Sequence, residues 1–346
     1  MDFLLMTEGG IDAEGPGGPP SVPQRFREVI AEAKLADEVG FDIFGCGEQH
    51  FDPPYWTISN PETMLAAIAR ETKRIRLRST IVLLPLIHPL RLAEIIGTID
   101  ILSDGRFEIG TGKGNNSIAI KAFQVPFSEL DERYEEALTV IKGALSNDRF
   151  SHRGKYFSFD EIEVLPKSIQ KPHPPIYFAA ISPQSHVVAG RNGLGLLTLS
   201  TAMSRPQIEK RFRIYHESFR EQPGALKRIS LGLQTYCCAD GAAARTHARD
   251  SILRYLKRTI FLYEKTLQEK GLNLDFSNTK KITSDFEFLA RERLLAIGDP
   301  KEVIDTFRYY QELGVQEIRI RCDGLPHEML MANIRMLADK VIPHFK

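Results

Sequence analysis

The chain has 346 residues, enough for one large or two average domains, and its 45 lysines and arginines balance 45 aspartates and glutamates. That balance offers no basic surface to nucleic acid or an anionic membrane, and no apolar run approaches the roughly 20 residues of a membrane span. The start, Met1-Asp2-Phe3, lacks a signal peptide's basic flank, and the four cysteines, Cys46, Cys237, Cys238 and Cys322, lack zinc-type spacing, so a reducing cytoplasm is expected.

In chain order, Asp2 to Met6 reads as a first strand. A Gly/Pro-rich loop from Gly9 to Pro20 leads into a helix from about Val22 to Val39, whose apolar positions Phe26, Val29, Ile30, Ala33, Ala36 and Val39 recur at helical spacing. A second strand follows in the apolar run Phe41-Asp42-Ile43-Phe44, bounded by Gly40 and by Asp52-Pro53-Pro54, and ends in Glu48-Gln49-His50. Asn60 caps the next helix with Pro61 in its first turn. Arg76 to Leu84 is a third strand, and His88-Pro89-Leu90-Arg91 starts a helix that stops at Asp104-Gly105. Arg106 to Thr111 is a fourth strand, and after Gly112-Lys113-Gly114-Asn115-Asn116 a helix runs from about Glu129 to Ser146.

Phe150 to Val164 reads as an inserted hairpin. Strands at Pro175 to Ala180, Leu194 to Leu199 and Ile229 to Cys238 then alternate with helices at Ser182 to Arg191, Pro206 to Arg220 and Ala242 to about Glu269. A polar segment, Gly271 to Phe286, reads as a mobile loop. A helix from Pro300 to Leu313, an eighth strand at Glu317 to Arg321 and a closing helix from Pro326 to Ile342 complete the chain. Strands alternating with helices predict an α/β fold, a single (β/α)8 TIM barrel over residues 1–346, with its active site at the C-terminal ends of the strands.

Three stretches at those strand ends could carry chemistry. Glu48 and His50 are two apart, so in an extended chain they point one way and Gln49 the other. A carboxylate and an imidazole at a barrel mouth suit acid–base work, although a Glu satisfied by an Arg and a His capping a loop would give the same pattern. A metal site would want further ligands, and His88 is the only easy third one. Gly110-Thr111-Gly112-Lys113-Gly114 sets a cation among glycines, which suits a phosphate or an ordinary flexible turn. It is not the dinucleotide fingerprint, because Asn115 stands at the third Gly position. Ser182-Pro183-Gln184-Ser185 opens a helix after the fifth strand, as a plain N-cap or as an anion site.

Together these stretches resemble the bacterial luciferase-like family of flavin-dependent monooxygenases through nearly the whole chain. The resemblance rests on Gly40-Phe41-Asp42 leading to Glu48-Gln49-His50-Phe51, and on Leu83-Leu84-Pro85-Leu86-Ile87-His88-Pro89-Leu90-Arg91. Ile101-Leu102-Ser103-Asp104-Gly105-Arg106-Phe107 through Gly110, then Gly298-Asp299-Pro300, Gly314 and Val341-Ile342-Pro343, continue it. It implies FMN bound at the C-terminal face of the barrel, with Gly112, Lys113, Gly114, Ser182 and Ser185 around the phosphate. Relatives usually carry Arg where Lys113 stands, and a Lys gives charge without the bidentate fork. Thr80 falls where relatives often carry a non-prolyl cis peptide under the flavin ring.

The resemblance also implies the reaction. Reduced FMN, supplied by a separate NAD(P)H:flavin reductase, would react with O2 to a peroxyflavin that oxygenates an organic small-molecule substrate. Glu48, Gln49 and His50 become the catalytic candidates. Luciferase proper has a histidine where this chain has Gln49; glutamine does not titrate, so light emission is not expected and His50 becomes the acid–base candidate. The segment from Gly271 to Phe286 matches a mobile loop of the family, a lid over the site. Trp56, Phe51 and Tyr55 are candidates for the pocket wall, and a homodimer follows family habit. The alternatives are a deazaflavin-dependent oxidoreductase on the same barrel, or a non-catalytic flavin-binding subunit.

Overall fold

A computed structural model describes residues 1–11, 19–53, 55–201, 203–271, 277–321 and 323–346. Its first half alternates regularly: β1 (Asp2–Thr7), α1 (Val22–Val39), β2 (Ile43–Cys46), α2 (Pro61–Glu71), β3 (Arg76–Leu83) and α3 (Pro89–Leu102). β4 (Phe107–Gly112) is followed by two helices, α4 (Ser117–Ala122) and α5 (Leu130–Ser146). The antiparallel hairpin β5 (Phe150–Arg153) and β6 (Ser158–Ile162) interrupts the rhythm where the sequence placed an insertion. It resumes with β7 (Ile176–Ala179), α6 (Pro183–Arg191), β8 (Gly195–Leu199), α7 (Arg205–Ser218), β9 (Ile229–Cys237) and α8 (Gly241–Glu269). The remainder holds α9 (Ser277–Ser284), α10 (Phe286–Arg291), β10 (Leu295–Gly298), α11 (Pro300–Glu312), β11 (Glu317–Arg321) and α12 (His327–Lys340).

Eight parallel strands close in the order β1-β2-β3-β4-β7-β8-β9-β11 and back to β1, a TIM barrel. β10 is additional. It pairs with the upper end of β9, Leu295 beside Gln234 and Gly298 beside Cys237, above the span where β11 pairs with Ser230 to Gln234. The polar segment read as a loop, Gly271 to Phe286, holds the helix α9 and the start of α10, with Asp285 capping the latter, and residues 272–276 lie outside the described residues. Cys322 and most of the loop after Gly9 lie outside them too. No helix among the described residues is long and apolar enough to cross a membrane.

The local signals act as their chemistry requires. Asn60 caps α2 by accepting from the Thr63 amide at 3.0 Å, and Ser21 caps α1. Alternate residues of the strands pack outward against the helices, as Ile318 and Ile320 of β11 do within the main apolar core. Their neighbours Glu317, Arg319 and Arg321 point inward, so the barrel interior is ionic from the base of β11 up to the strand ends. Buried Arg78 of β3 donates to Glu108 of β4 at 2.6 Å and to Glu317 of β11 at 2.7 Å. β3 and β11 are separated in the sheet by β1 and β2, so this contact crosses the barrel. Burial alone would raise the Glu317 carboxyl, but Arg78 and the Ser230 hydroxyl hold it below the usual carboxylate value.

Two thiols belong to the same packing. Cys46 ends β2 and Cys237 ends β9, both buried. Burial pushes Cys237 up to about 12 and Cys46 well above its ordinary value.

Candidate active site

The strand ends enclose a cavity of about 350 Å³, walled on one side by α8. Its bed is the Thr80–Ile81 peptide of β3, which is cis, at the position the family resemblance singled out. Glycines make room for it. A Cβ on Gly47 would come within 2.9 Å of the Thr80 carbonyl, and one on Gly112 within 2.0 Å of Ile81 Cδ1. Gly112 therefore shapes the bed from behind and does not itself line the cavity, whereas Lys113 and Gly114 do. Leu197, Leu199 and Leu233 supply apolar wall, and the buried Thr80 Oγ1 has no hydrogen-bond partner among the described residues.

One end of the cavity is suited to an anion. Lys113 follows β4 directly, and Gly114 turns the chain at φ 92°. Across from it α6 begins at the end of β7. Ser182 is the N-cap, accepting from the Ser185 amide at 3.1 Å, and the Ser185 hydroxyl donates back to the Ser182 carbonyl at 2.7 Å. The two serines thus cap the helix and still border the cavity, so the cap and the anion site coincide. Lys113 Nζ lies 2.8 Å from the carboxylate of Asp131 on α5, which is two-thirds exposed at 68%. Partial burial works against that charge, yet Lys113 holds the Asp131 carboxyl below its ordinary value.

At another edge stand the three residues after β2. The strand stops at Cys46, so Glu48 and His50 are not in extended pairing, yet they do face each other, with His50 Nε2 2.6 Å from Glu48 Oε1. The other Glu48 oxygen accepts from the Leu83 amide at 2.8 Å. Gln49 turns the opposite way and donates to Glu8 at 2.8 Å, while Glu8 pairs with Arg321. Glu48 and Gln49 line the cavity. His50 does not; it stands behind Glu48 with its ring edge-on to Phe123, centroids 5.0 Å apart. Beside the pair, burial lifts the Glu62 carboxyl to about 7, and the Glu48 charge adds to the rise.

Several expectations move. Phe51 is 55% exposed and outside the cavity wall, and Tyr55 and Trp56 border a separate, water-sized space of about 30 Å³. His88 caps α3, accepting from the Leu90 amide at 3.3 Å, and no group of three or more potential metal ligands occurs among the described residues. Conversely, Glu8, Tyr255, Arg319 and Arg321 line the cavity without having been singled out. For the two arginines the local signal is the alternation Glu-Ile-Arg-Ile-Arg in β11, charges on one face of a short strand; Glu8 and Tyr255 lie outside it.

Residues 1–317 match the model of a family described as luciferase-like monooxygenase. Over 93% of its length the chain is 28% identical to the oxygenase component of the flavin-dependent trigonelline monooxygenase of Acinetobacter baylyi, covering 90% of that protein. Among solved structures it shares its fold with the oxygenating constituent of 3,6-diketocamphane monooxygenase from Pseudomonas putida in complex with FMN. That likeness has a TM-score of 0.78 at 21% identity and covers 99% of this chain and 98% of that one. An F420-dependent secondary alcohol dehydrogenase in complex with an F420-acetone adduct has the same fold, with a TM-score of 0.73 at 16% identity, covering 99% and 98%.

Proposed function

The chain belongs to the luciferase-like monooxygenase family, and on that premise we propose that it is the FMN-dependent oxygenase component of a two-component system. A separate NAD(P)H:flavin reductase would supply reduced FMN, as the name of the trigonelline relative suggests for that protein. The observation that carries the reading is a single cavity joining an apolar bed, Thr80–Ile81 with Leu197 and Leu199, to a cation and a helix N-terminus at one end. A flat ring with a phosphate tail fits both halves. Lys113, Ser182 and Ser185 would hold the phosphate, and the bed would carry the ring.

Reduced FMN, when bound, supplies the two electrons with which one atom of O2 enters the substrate and the other leaves as water. The chain's own residues set the surroundings. Glu48, at the cavity wall, shares a proton with His50 behind it, so the pair can hold or release a proton at Glu48 without solvent. Gln49 does not titrate; anchored on Glu8, it presents a fixed amide that orients what lies beside it. Tyr255, Ile260 and Tyr263 of α8 close one side against water.

The test is equilibrium titration with FMN, riboflavin and a 5-deazaflavin, followed by rapid mixing of the photoreduced FMN complex with oxygenated buffer. FMN should bind more tightly than riboflavin, and reoxidation should differ from that of free reduced FMN, with a protein-dependent transient absorbance. Steady FMN reduction by this chain with NADPH alone would contradict the two-component arrangement. Hydride transfer from a reduced deazaflavin without oxygen dependence would move the assignment to the deazaflavin reading. A homodimer belongs to the same proposal and is checked by sedimentation.

A further inference from the structure

The cavity has a second cationic pole. Arg319 lies on β11, and in the closed order of eight strands β11 stands four places from β4 in either direction, diametrically across from Lys113. Its side chain is buried, 5% exposed, and lies along β9 where Gly232 leaves room: a Cβ there would sit 2.8 Å from Nη2. Nη2 donates to the Thr198 carbonyl at 3.0 Å, while Nε and Nη1 have no partner among the described residues. At least three of the five guanidinium N–H bonds are therefore unused.

The other interior arginines differ. Arg78 is matched by Glu108 and Glu317, and Arg321 by Glu8 and Asp323. Arg319 makes no ion pair among the described residues; burial outweighs the more distant charges of Glu317 and Glu8 and pushes it down to about 10, so it is still charged at neutral pH. A buried cation with idle donors is costly. A water molecule would satisfy an N–H and leave the charge without a direct counterion; an oxyanion supplies both.

We propose that Arg319 anchors a carboxylate of the substrate, so that the organic compounds oxygenated here are carboxylic acids seated between the Thr80–Ile81 bed and β11. This rests on the flavin reading, which assigns the Lys113 pole to the phosphate of FMN and leaves the Arg319 pole to a different anion. The competing occupant is the anionic edge of the reduced isoalloxazine ring, and it is separable by experiment.

The full chain, with and without FMN, is titrated calorimetrically with benzoate and with benzamide, which has the same outline and no charge. Benzoate should bind about tenfold or more tighter than benzamide, the scale of a charge-assisted hydrogen-bonded pair. Arg319→Gln should abolish that preference and leave the affinity for oxidised and photoreduced FMN within about twofold. Arg319→Lys, which keeps the charge and loses the fork, should retain only part of the preference and serves if the Gln variant does not fold. Equal binding of the two probes, or a preference that survives both substitutions, overturns the proposal. So does a loss confined to reduced FMN, which would give Arg319 to the flavin ring. Failure of FMN to bind, with the benzoate preference intact, would refute the flavin reading and leave the anion anchor standing.

Discussion

Replacing Asp131 by Asn should tighten the binding of FMN. Lys113 is 19% exposed and is held at 2.8 Å by a carboxylate that is itself 68% exposed, so the pair is largely a surface contact. Pairs of that kind are worth about 0.2–1 kcal/mol, and a phosphate must compete with that carboxylate for the ammonium. Freeing Lys113 should therefore lower the Kd for FMN by a factor of about 1.5 to 5. Removing the cation acts the other way. Lys113→Met forfeits a charge-assisted hydrogen bond of about 1.5–3 kcal/mol and should weaken FMN by about 10- to 150-fold. Riboflavin lacks the phosphate and serves as the internal control. Quenching of flavin fluorescence, titrated at low and high salt, reads the affinities of the native chain and both variants for the two flavins, and the gain from Asp131→Asn should shrink as salt screens the site. An unchanged Kd for FMN in Asp131→Asn, or an equal shift for riboflavin, would refute the phosphate assignment of Lys113.

Other consequences are equally direct. Arg78→Met leaves Glu108 and Glu317 buried without their shared cation and should cost about 3–5 kcal/mol in urea unfolding at neutral pH. That deficit against the native chain should narrow as the pH falls, because the stranded carboxyls can then bind protons while the native pair loses its advantage. His186, buried on α6, is pushed down to about 4 from 6.5 by burial. Its contribution is complete above pH 6.5 and lost as the pH falls toward 4, about 2 kcal/mol being gone at pH 5; in His186→Leu that part of the acid dependence of unfolding should vanish. Gly112→Ala places a methyl 2.0 Å from Ile81 Cδ1. It should displace the bed and weaken FMN and riboflavin alike, which separates it from the phosphate-end variants in the same titration.

The parts of this architecture that depend on local chemistry were legible in the sequence. Asn60-Pro61 and Ser182-Pro183 announce helix starts through side-chain capping and the fixed φ of proline, and both helices begin there. What escaped was short or non-local. β10 is four residues, Leu-Ala-Ile-Gly, and α4 six, too few for a period to declare itself. The charged interior was hidden for a different reason. Alternation in β11 separates two faces, but the usual expectation puts isoleucine inside; here the arginines are inside, and the carboxylates of Glu8 and Asp323 that meet Arg321 come from other parts of the barrel mouth. The bond from Gln49 to Glu8 spans 41 positions and leaves no mark in either neighbourhood. The spacing of Glu48 and His50 puts them on one side only in an extended chain, and the strand stops at Cys46, so neither their pairing nor the fact that of the two only Glu48 reaches the cavity was legible there.

The state of the two buried thiols acquires a meaning once oxygen is part of the chemistry. Flavin-dependent oxygen activation leaks hydrogen peroxide whenever it is uncoupled from substrate, and peroxide attacks thiolates far faster than thiols. Cys46 and Cys237 are kept protonated by burial and are closed to solvent. Their sulfurs thus have neither the charge nor the access that oxidation to sulfenic acid needs, and the barrel can outlast its own by-product at these two positions.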